Sequence, residues 1–459
     1  MDEEREHIAN LIDANRKLAD ERDFPTVKRR RMLLKRMLKL LLSHKHVAIE
    51  ALREDLGKSE FECMMTEIVP LVSILKYLIK KLPSLAAPER VGVSLMNFPA
   101  RGRLIKEPYG QVLIAATWNY PLLLALEPVA GAVAAGNYAV LKLAKRASHT
   151  TRFVCWLIEE TFQGEVVAVG DEISWQELLR QRFDYVFYTG NGSGGREVLR
   201  AAAENLTPAT LELGGKNPCI VAPGTDLKVA ARRIVWGKFT NLGQTCIAPD
   251  FLIVHDSIKD EFMQHIKAAI RRFYGEVPLA SSDYGKLIDL RAYERLSSMC
   301  SSGRLITGGD KDPVRHAIEP TVVDRLPAED PLLNQEIFGP ILPVTTYNND
   351  AEMLEMVQKC GKPLALYCFG GSRETRQLLR ERTSSGALVF NDVVVHFVNP
   401  DMPFGGIGGS GMGAYHGRRT FETFCHSRPE MIRWNAFDAS FRYPPYPKWR
   451  SKLLNFFID

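Results

Sequence analysis

The stretch QVLIAATWNYP, residues 111–121, decides the fold, because a short apolar run ends there directly in polar and aromatic residues. The run has the length and composition of a buried strand. A small, apolar segment at 125–135 suits a closely packed helix, and YAVLKL at 138–143 predicts a second strand. A helix over 148–161 and a strand at 185–188 continue the alternation. This pattern predicts a doubly wound parallel α/β sheet, which binds ligands at the carboxyl ends of its strands.

The composition is that of an ordinary globular protein, with 46% hydrophobic and 25% charged residues in a chain of 459. This length exceeds the usual size of one hydrophobic core, so we expect two or three domains. A net charge of +5 over such a length gives no reason to expect nucleic-acid binding. No apolar run approaches the roughly 18 residues of a transmembrane segment, and the charged N-terminus does not resemble a secretory signal.

The eight cysteines contain no CxxC pair. Their spacing therefore predicts no metal site and no disulfide framework. A reducing compartment fits this pattern, and we expect a cytoplasmic protein.

The first 80 or so residues have a helical pattern, and residues 29–42 are both basic and amphipathic. Leu34, Met37, Leu38 and Leu41 fall on one face of this predicted helix. A helix packed on a core and a helix lying on a membrane surface share this pattern. We favour the packed helix.

Two segments contain side chains that are suited to covalent catalysis. GQTCIAP, residues 243–249, places Cys246 among small and polar residues, where a thiolate would be a strong nucleophile. TLELGGK, residues 210–216, places Glu212 just before two glycines, where a buried carboxylate would be a general base. Taken alone, each residue also fits a structural role, since single cysteines are commonly buried and inert and a glutamate at a strand end is commonly exposed.

Two turns at strand ends could bind a ligand. TGNGSGG, residues 189–195, lies between a strand and a helix, and could hold a pyrophosphate at the helix N-terminus, although it is not the strict GxGxxG pattern. Asn119, in the turn after the strand at 111–116, could donate its amide to an oxyanion, or could serve as an ordinary polar turn residue.

In their joint order these segments resemble the aldehyde dehydrogenase superfamily, and most of all its class 3, fatty- and aromatic-aldehyde branch. The similarity runs from about residue 20 to 447, and the separation of 34 residues between Glu212 and Cys246 is also that of the family. The stretches that carry it are 108–121, 212–216, 237–250, 335–340, 391–393 and 403–417.

The resemblance implies a reaction and a role for each site residue. Cys246 would attack the aldehyde to form a thiohemiacetal and then a thioester, with the Asn119 side chain and the Cys246 N–H holding the oxyanion. Glu212 would activate the hydrolytic water. The cofactor would be NAD or NADP. Its expected contacts are Trp118, Lys142, Lys145, Gly190, Asn191, Gly195, Leu213, Glu336 and Phe338.

The resemblance also implies an architecture. Residues 1–85 and 104–211 would form a Rossmann-like cofactor-binding domain, and residues 212–393 an α/β catalytic domain. Residues 86–103 and 394–459 would form a small β bridging and oligomerisation element with a C-terminal tail, through which the chain would pair as a homodimer. Apolar residues such as Tyr120, Leu122 and Phe397 would lie near the entrance for an aliphatic or aromatic aldehyde.

Three departures from the family pattern bear on function. Leu143-Ala144-Lys145 stands where the family usually has Pro-Ser-Glu, and Asn191 stands where it has serine. Because Lys145 reverses the charge expected beside the adenosine ribose, we expect NADP to be used at least as readily as by related enzymes. If its side chain points into solvent instead, the cofactor preference is unchanged. With residues 453–459 at the C-terminal end, we expect the long hydrophobic anchor of membrane-bound relatives to be missing.

The main hypothesis is therefore an NAD(P)-dependent oxidoreductase that converts an aldehyde to its acid. A catalytically silent relative that acts as a binding or structural protein is the alternative, and retention of Cys246, Glu212 and Asn119 argues against it. A peripheral membrane protein that uses the basic N-terminal helix or the C-terminal end is a third hypothesis.

Overall fold

The chain begins with a helical segment in the computed structural model, which describes residues 2–94, 97–435, 438 and 442–450. Its helices are α1 (Asp2–Asp20), α2 (Val27–Ser43), α3 (Lys45–Leu56), α4 (Glu60–Cys63) and α5 (Val69–Leu85), with a π-helical turn (Met64–Ile68) between the last two. The predicted amphipathic helix is α2, and its apolar side chains Leu34, Met37 and Leu41 are fully buried. Its basic residues are used within the fold, since Arg29 pairs with Glu165. The packing of α2 matches the packed helix rather than a membrane-surface helix.

A six-stranded sheet follows, and it contains the stretch that decides the fold. Its strands are β3 (Gln111–Ala115), β4 (Tyr138–Lys142), β5 (Val166–Val169), β6 (Tyr185–Gly190), β7 (Ala209–Leu213) and β17 (Gly411–Met412). The strand order is β17-β7-β6-β3-β4-β5, and every pairing except that of β17 is parallel. The chain order reverses between β3 and β6, which is the point where such sheets bind ligands.

Helices cover both faces of this sheet: α6 (Leu123–Ala135), α7 (Ser148–Phe162), α8 (Trp175–Arg180) and α9 (Gly192–Glu204). Each predicted strand and helix of this region lies within two residues of an observed one. The prediction of a doubly wound α/β fold is therefore confirmed. All thirteen residues of α6 are buried, since its small side chains allow close packing on every side.

A second sheet of seven strands has the order β10-β13-β14-β9-β8-β15-β16 and is parallel apart from β10. Its strands are β8 (Pro218–Val221), β9 (Phe251–His255), β10 (Arg304–Thr307), β13 (Thr321–Asp324), β14 (Ile341–Tyr347), β15 (Ala365–Phe369) and β16 (Ala387–Phe390). Its helices are α10 (Leu227–Phe239), α11 (Lys259–Tyr274), α12 (Leu290–Met299), α13 (Pro331–Asn334), α14 (Asp350–Lys359) and α15 (Arg373–Arg382), and β11 (Lys311–Asp312) pairs with β12 (Ala317–Ile318).

A three-stranded antiparallel sheet joins β1 (Glu89–Val91), β2 (Ala100–Pro108) and β18 (Cys425–Arg433), with α16 (Arg418–Thr423) leading into β18. Pairing between β2 and β18 continues from Ala100 to Pro108. The expected boundary at residue 103 therefore falls inside a continuous strand. Before reaching β18, the tail returns to the six-stranded sheet, where Gly411 pairs with Glu212. The division into three functional domains stays a prediction.

Within the described residues, no helix is long and apolar enough to cross a membrane. The C-terminal stretch 453–459, considered above as a membrane contact, lies outside the described residues.

Candidate active site

The loop that carries Cys246 follows α10 and has an unusual backbone. Asn241 and Leu242, which precede the cysteine, both have left-handed backbone angles, with φ of 52° and 51°. Such angles are costly for residues other than glycine and persist only where neighbours enforce them. Here the buried Glu62 carboxylate accepts a 2.7 Å hydrogen bond from the Asn241 N–H. A helix from the N-terminal segment thus fixes the loop that presents the cysteine.

Two cavities of different character meet at Cys246. A cleft of about 600 Å³ runs along the carboxyl ends of β3, β4, β6 and β7. A predominantly apolar cavity of about 240 Å³, called the tunnel below, also reaches this cysteine. Both cavities are lined by Leu124, Cys246, Phe404 and Tyr415. A group bound in the cleft and a group bound in the tunnel would therefore meet over the half-buried thiol.

The surroundings of Cys246 favour its neutral thiol in the structure as it stands. Burial, followed by the nearby carboxylates Glu336 and Glu212, raises the pKa of the Cys246 thiol to about 12. The backbone N–H groups of Cys246 and Ile247 act in the opposite direction, because they hydrogen-bond the sulfur. A nucleophile in this state needs a base close by and donors that hold the negative charge.

Glu212 provides a carboxylate with the properties of such a base. It lies on β7, is only 3% exposed, and lines the cleft beside Cys246. Among the described residues, neither of its carboxylate oxygens has a hydrogen-bond partner. Burial, with the second buried carboxylate Glu127 as the lesser cause, raises the pKa of Glu212 well above its ordinary value. A carboxyl group of raised pKa beside the thiol is a candidate general base.

The structure places Asn119 at the same junction. Its side chain is 2% exposed and lines the cleft, and its amide Nδ2 donates to the Gln244 carbonyl at 3.0 Å. An amide nitrogen carries two hydrogens, so the second is available to an oxyanion. The backbone carbonyl of Asn119 accepts hydrogen bonds from the side-chain amide of Asn241 at 2.8 Å and from Lys58 Nζ at 3.2 Å.

Most of the predicted cofactor residues line the cleft together, although they come from five separate segments. The rings of Trp118 and Phe338 pack edge to face with centroids 5.4 Å apart. The predicted residues that line the cleft are Trp118, Lys142, Gly190, Asn191, Leu213, Glu336 and Phe338.

Two predicted cofactor residues lie elsewhere. Lys145 does not line the cleft, and its 80% exposed side chain pairs with Asp171 at 3.0 Å. The turn after β4 directs this side chain to solvent, and its contact with the adenosine ribose stays a prediction. Gly195 is also outside the lining, and lies in α9 with its Cα against β7. An added Cβ would lie 3.2 Å from the Leu213 side chain, so this glycine allows close packing of helix on strand.

The glycine turn after β6 leads into the N-terminus of α9. The Asn191 side chain caps this helix by accepting a 2.9 Å hydrogen bond from the Gly194 N–H. Gly190 and Gly194 also lie against the Tyr188 hydroxyl, where added Cβ atoms would be 2.3 and 2.0 Å away. A capped helix N-terminus beside small residues at a sheet's carboxyl end suits a phosphate group.

Lys142 and Glu336 bring ionisable groups to the cleft. Lys142 Nζ donates to the carbonyls of Gly170 and Ile173, and burial is the main cause that lowers its pKa. Glu336 accepts a 3.1 Å hydrogen bond from the Gly215 N–H, and burial, ahead of the charge of Asp250, raises its pKa to about 7.

Sequence reasoning missed several residues of the site. Arg146 and Arg295 line the cleft, and the Arg146 guanidinium lies 4.4 Å from the centroid of the Trp118 ring. The N-terminal residues that hold the catalytic loops, Lys58, Glu62 and Glu67, were missed as well. The sequence contains only a weak indication of their role, namely that these charged residues stand in an otherwise apolar helical segment.

The tunnel is built mainly from apolar side chains that come from several separate segments of the chain. Tyr120 and Phe397 line it as expected, whereas Leu122 is fully buried and is not part of its wall. Sequence reasoning missed Trp236 of α10 and Val394, which also line the tunnel.

The cleft suits a dinucleotide on its own chemistry. It combines a capped helix N-terminus for phosphate, a lysine and two arginines, and the Glu336 carboxylate for hydroxyl groups. Gly214 makes room for that carboxylate, since an added Cβ would lie 2.1 Å from Glu336 Oε1. A dinucleotide cleft that meets an apolar tunnel at a cysteine defines a cofactor-dependent oxidoreductase.

Comparison with known proteins identifies the kind of oxidoreductase. The profile of the aldehyde dehydrogenase family matches residues 2–429, and the chain belongs to this family. It is 40% identical to 4,4'-diaponeurosporen-aldehyde dehydrogenase of Staphylococcus aureus, over 94% of each chain. It is 38% identical to a dimeric, NADP-preferring aldehyde dehydrogenase of Canis lupus familiaris, over 90% of this chain and 91% of that protein.

Structural comparison agrees with this assignment. The solved structure of Staphylococcus aureus AldH in a substrate-bound state superposes with a TM-score of 0.94, at 36% identity and over 100% of both chains. The protein is therefore an aldehyde dehydrogenase that uses NAD or NADP.

Proposed function

We propose that this enzyme oxidises apolar aldehydes, of medium or long aliphatic chain or aromatic, through a thioester on Cys246. One observation carries the proposal: Cys246 is the thiol at which the cofactor cleft and the apolar tunnel meet. An aldehyde that enters through the tunnel would present its carbonyl carbon to Sγ, and its hydrogen to the cleft.

In the first half of the reaction Cys246 is the nucleophile. Because burial favours the thiol, a base must take its proton, and Glu212 is a carboxylate of raised pKa in the same cleft. The sulfur attacks the carbonyl carbon, and the Asn119 amide and the Cys246 N–H stabilise the oxyanion of the thiohemiacetal. The bound nicotinamide cofactor supplies the hydride acceptor that this oxidation requires.

In the second half Glu212 is the general base. It removes a proton from water, the water oxygen attacks the thioester carbonyl, and the carbon–sulfur bond breaks to release the acid. Its carboxylate suits this role, because both oxygens are free of protein partners among the described residues. Burial also raises the pKa of Glu212, which makes its carboxylate a stronger base than an exposed one.

The cofactor contacts follow from the wall of the cleft. We infer that the six-stranded sheet with α9 binds the dinucleotide, and that the seven-stranded sheet carries the catalytic loop. Lys142 and Asn191 would lie along the ribose and phosphate groups, and Glu336 and Phe338 at the nicotinamide end beside Cys246.

The apolar substrate class rests on the tunnel wall, which is built from side chains such as Trp236, Val394 and Phe397. Because a hydrocarbon chain loses its contact with water in such a tunnel, each buried methylene contributes about 0.8 kcal/mol to binding. The Staphylococcus aureus relative acts, by its name, on 4,4'-diaponeurosporen-aldehyde.

Single-turnover and steady-state absorbance of NADH or NADPH test this mechanism. With a medium-chain aldehyde, Cys246→Ala should abolish turnover and keep cofactor binding, whereas the matched control Cys360→Ala should leave both unchanged. Glu212→Gln should keep the first-turnover burst and slow later turnovers about 10²–10⁴-fold, as for a lost general base. Substantial turnover by Cys246→Ala would overturn the mechanism.

We also propose that the enzyme is a homodimer that pairs through the three-stranded sheet. Its β18 is an edge strand, and the side chains of Met431 and Ile432 are more than half exposed. Unprotected edge strands with exposed apolar side chains tend to pair with another chain. The dimeric relative from Canis lupus familiaris supports the proposal. Light scattering of the wild type and of Ile432→Lys tests it, and a monomeric wild type would contradict it.

A further inference from the structure

Of the four residues that line both the cleft and the tunnel, two carry a polar group that can take part in chemistry. Leu124 and Phe404 are apolar, Cys246 is the proposed nucleophile, and Tyr415 is the fourth. The mechanism above gives Tyr415 no role. Because the two cavities share this residue, it lies at the junction where an aldehyde and a cofactor would meet.

The position of Tyr415 is fixed by both its backbone and its ring. It belongs to the segment between β17 and α16, where it exchanges two backbone hydrogen bonds with Phe404, at 2.7 and 2.8 Å. Its ring packs edge to face against the rings of Phe187 and Phe404, with centroids 5.1 and 5.7 Å away. The residue is only 1% exposed. A ring held in this way gives its hydroxyl a defined position.

The hydroxyl of Tyr415 is not used by the fold. Among the described residues, no group donates a hydrogen bond to it or accepts one from it. A buried tyrosine hydroxyl usually has such a partner. Other tyrosine hydroxyls in this part of the fold follow the rule, with partners at 2.5 to 3.4 Å: those of Tyr120, Tyr185, Tyr188 and Tyr367.

This unused oxygen remains open to a molecule in the cavities. Several unpartnered polar atoms near the site are sealed from solvent, among them Oδ1 of Asn119 and Oδ1 of Asn241, whereas the Tyr415 hydroxyl is not sealed. The small exposed surface of Tyr415 therefore includes its oxygen. The openings that this residue lines are the cleft and the tunnel, so the hydroxyl faces the junction at Cys246.

The surroundings of this hydroxyl keep its proton in place. Burial, ahead of the charges of Glu127, Glu212 and Cys246, raises the pKa of Tyr415 well above its ordinary value. A protonated phenol is a hydrogen-bond donor. A fixed donor is most effective in catalysis where negative charge develops in a site that excludes water.

We propose that Tyr415 is a further catalytic residue, whose hydroxyl donates a hydrogen bond to the oxygen of the reacting carbonyl. This inference rests on the proposed function, because it adds a third donor to the Asn119 amide and the Cys246 N–H. An aldehyde from the tunnel presents its hydrogen to the cofactor and its carbon to Sγ, so its oxygen is the polar atom that needs partners at the junction. No bond to Tyr415 forms or breaks, and the proton stays on the phenol.

Tyr415→Phe tests the proposal, because it keeps the ring against Phe187 and Phe404 and removes the oxygen alone. With a medium-chain aldehyde, the first-turnover burst of NADH or NADPH should slow about 10²-fold, as for one lost oxyanion donor. Later turnovers should slow as well, because thioester hydrolysis passes through a second oxyanion. We expect kcat to fall much more than KM rises, since the hydrogen bond strengthens as charge develops.

Two measurements separate this role from a structural one. Alkylation of Cys246 by iodoacetamide, followed by mass spectrometry, should keep its rate in Tyr415→Phe, because this reaction forms no oxyanion. The denaturant midpoint should also stay at the wild-type value, because the fold loses no hydrogen bond. The matched control is Tyr185→Phe, whose hydroxyl bonds Thr210 at 2.6 Å and lines neither cavity. It should lower the midpoint and leave the burst unchanged.

Each outcome has one meaning. A normal burst followed by slow turnovers would assign the hydroxyl to the hydrolytic water and overturn the oxyanion role. A lower denaturant midpoint in Tyr415→Phe, or an equal loss of alkylation and burst, would make the hydroxyl structural and overturn it too. A wild-type burst and turnover would overturn the role and leave the thioester mechanism intact. Full turnover by Cys246→Ala would overturn the proposed function itself.

Discussion

The ion pair between Lys58 and Glu67 should hold both the fold and the oxyanion site. Both side chains are fully buried, and Lys58 Nζ lies 2.6 Å from a Glu67 oxygen. The other Glu67 oxygen accepts hydrogen bonds from the N–H groups of Leu122 and Leu123, at 2.9 and 3.2 Å. No side chain of its own caps the start of α6, so Glu67 is its cap from another segment. Lys58 also donates to the carbonyl of Asn119.

The magnitude follows from this geometry. Removing one member of a buried ion pair costs about 3–5 kcal/mol, because the other charge remains buried without its partner. Lys58→Met leaves Glu67 its two N–H donors at a helix N-terminus, which offset up to about 1 kcal/mol. We therefore expect Lys58→Met to lower the free energy of unfolding by about 3 kcal/mol. Glu67→Gln should cost a similar amount, because it leaves the Lys58 charge buried.

Denaturant unfolding of Lys58→Met, Glu67→Gln and the double variant measures this effect. In the double variant neither charge remains unpaired, so we expect a favourable coupling of about 2 kcal/mol between the two sites. Because a chain of this size need not unfold in one step, the first transition is the one to compare.

A functional readout accompanies the stability measurement. In Lys58→Met the backbone carbonyl of Asn119 loses a hydrogen-bond donor, so the Asn119 side-chain amide, which would stabilise the oxyanion, can shift. The hydride step of a single turnover should therefore slow by up to about 10²-fold, the effect of removing one oxyanion donor. Lys259→Met is the matched control, since Lys259 pairs with the buried Asp324 at 2.6 Å away from the active site. Single variants that each cost less than about 1 kcal/mol and add without coupling would refute the reasoning. An equal loss of hydride transfer in Lys259→Met would refute it as well.

Three further predictions concern the cleft and the tunnel. Burial raises the pKa of Glu336 to about 7. Because an ionised carboxylate accepts hydrogen bonds from ribose hydroxyls more strongly than the neutral acid does, cofactor affinity measured by fluorescence should fall as the pH drops through 7, and Glu336→Gln should abolish this dependence. The ratio of kcat/KM for NADP over NAD should change less than about threefold in Lys145→Glu, since exposed ion pairs are worth little. Arg146→Gln, which removes a cation from the cleft wall, should raise the cofactor KM about tenfold, as for a lost charged hydrogen bond. A larger effect of Lys145→Glu than of Arg146→Gln on cofactor use would support the cofactor role first expected for Lys145. Gly237→Ala should lower kcat/KM for long aldehydes more than for short ones, because the added Cβ would clash with the buried Val393 and lie 3.2 Å from the neighbouring Val394, so that the tunnel wall at Val394 must shift. An equal loss for all chain lengths would contradict this.

Local signals in the sequence were sufficient for much of the site. Cys246 and Glu212 were identified as the expected nucleophile and base because they stand in short segments of small residues, whose order along the chain is that of the family. The strands and helices around residues 111–121 were predicted because periodicity and small-residue content are local properties. Seven of the nine expected cofactor residues line the cleft, and five of these stand at or just after the end of a strand, where such sheets bind ligands. The other two, Glu336 and Phe338, lie between α13 and β14 and were expected from the resemblance alone.

The direction of side chains and the long-range contacts were decided only by the tertiary structure. Lys145 follows β4 as a cofactor residue would, yet the turn sends its side chain to Asp171 and solvent, and no periodicity encodes that choice. The sequence likewise gave no reason to place Lys58 beside Asn119, 61 residues later, or Glu127 beside His416, 289 residues later. Burial creates these pairs, because a charged group in a close-packed interior must find its partner in three dimensions, wherever the chain brings one.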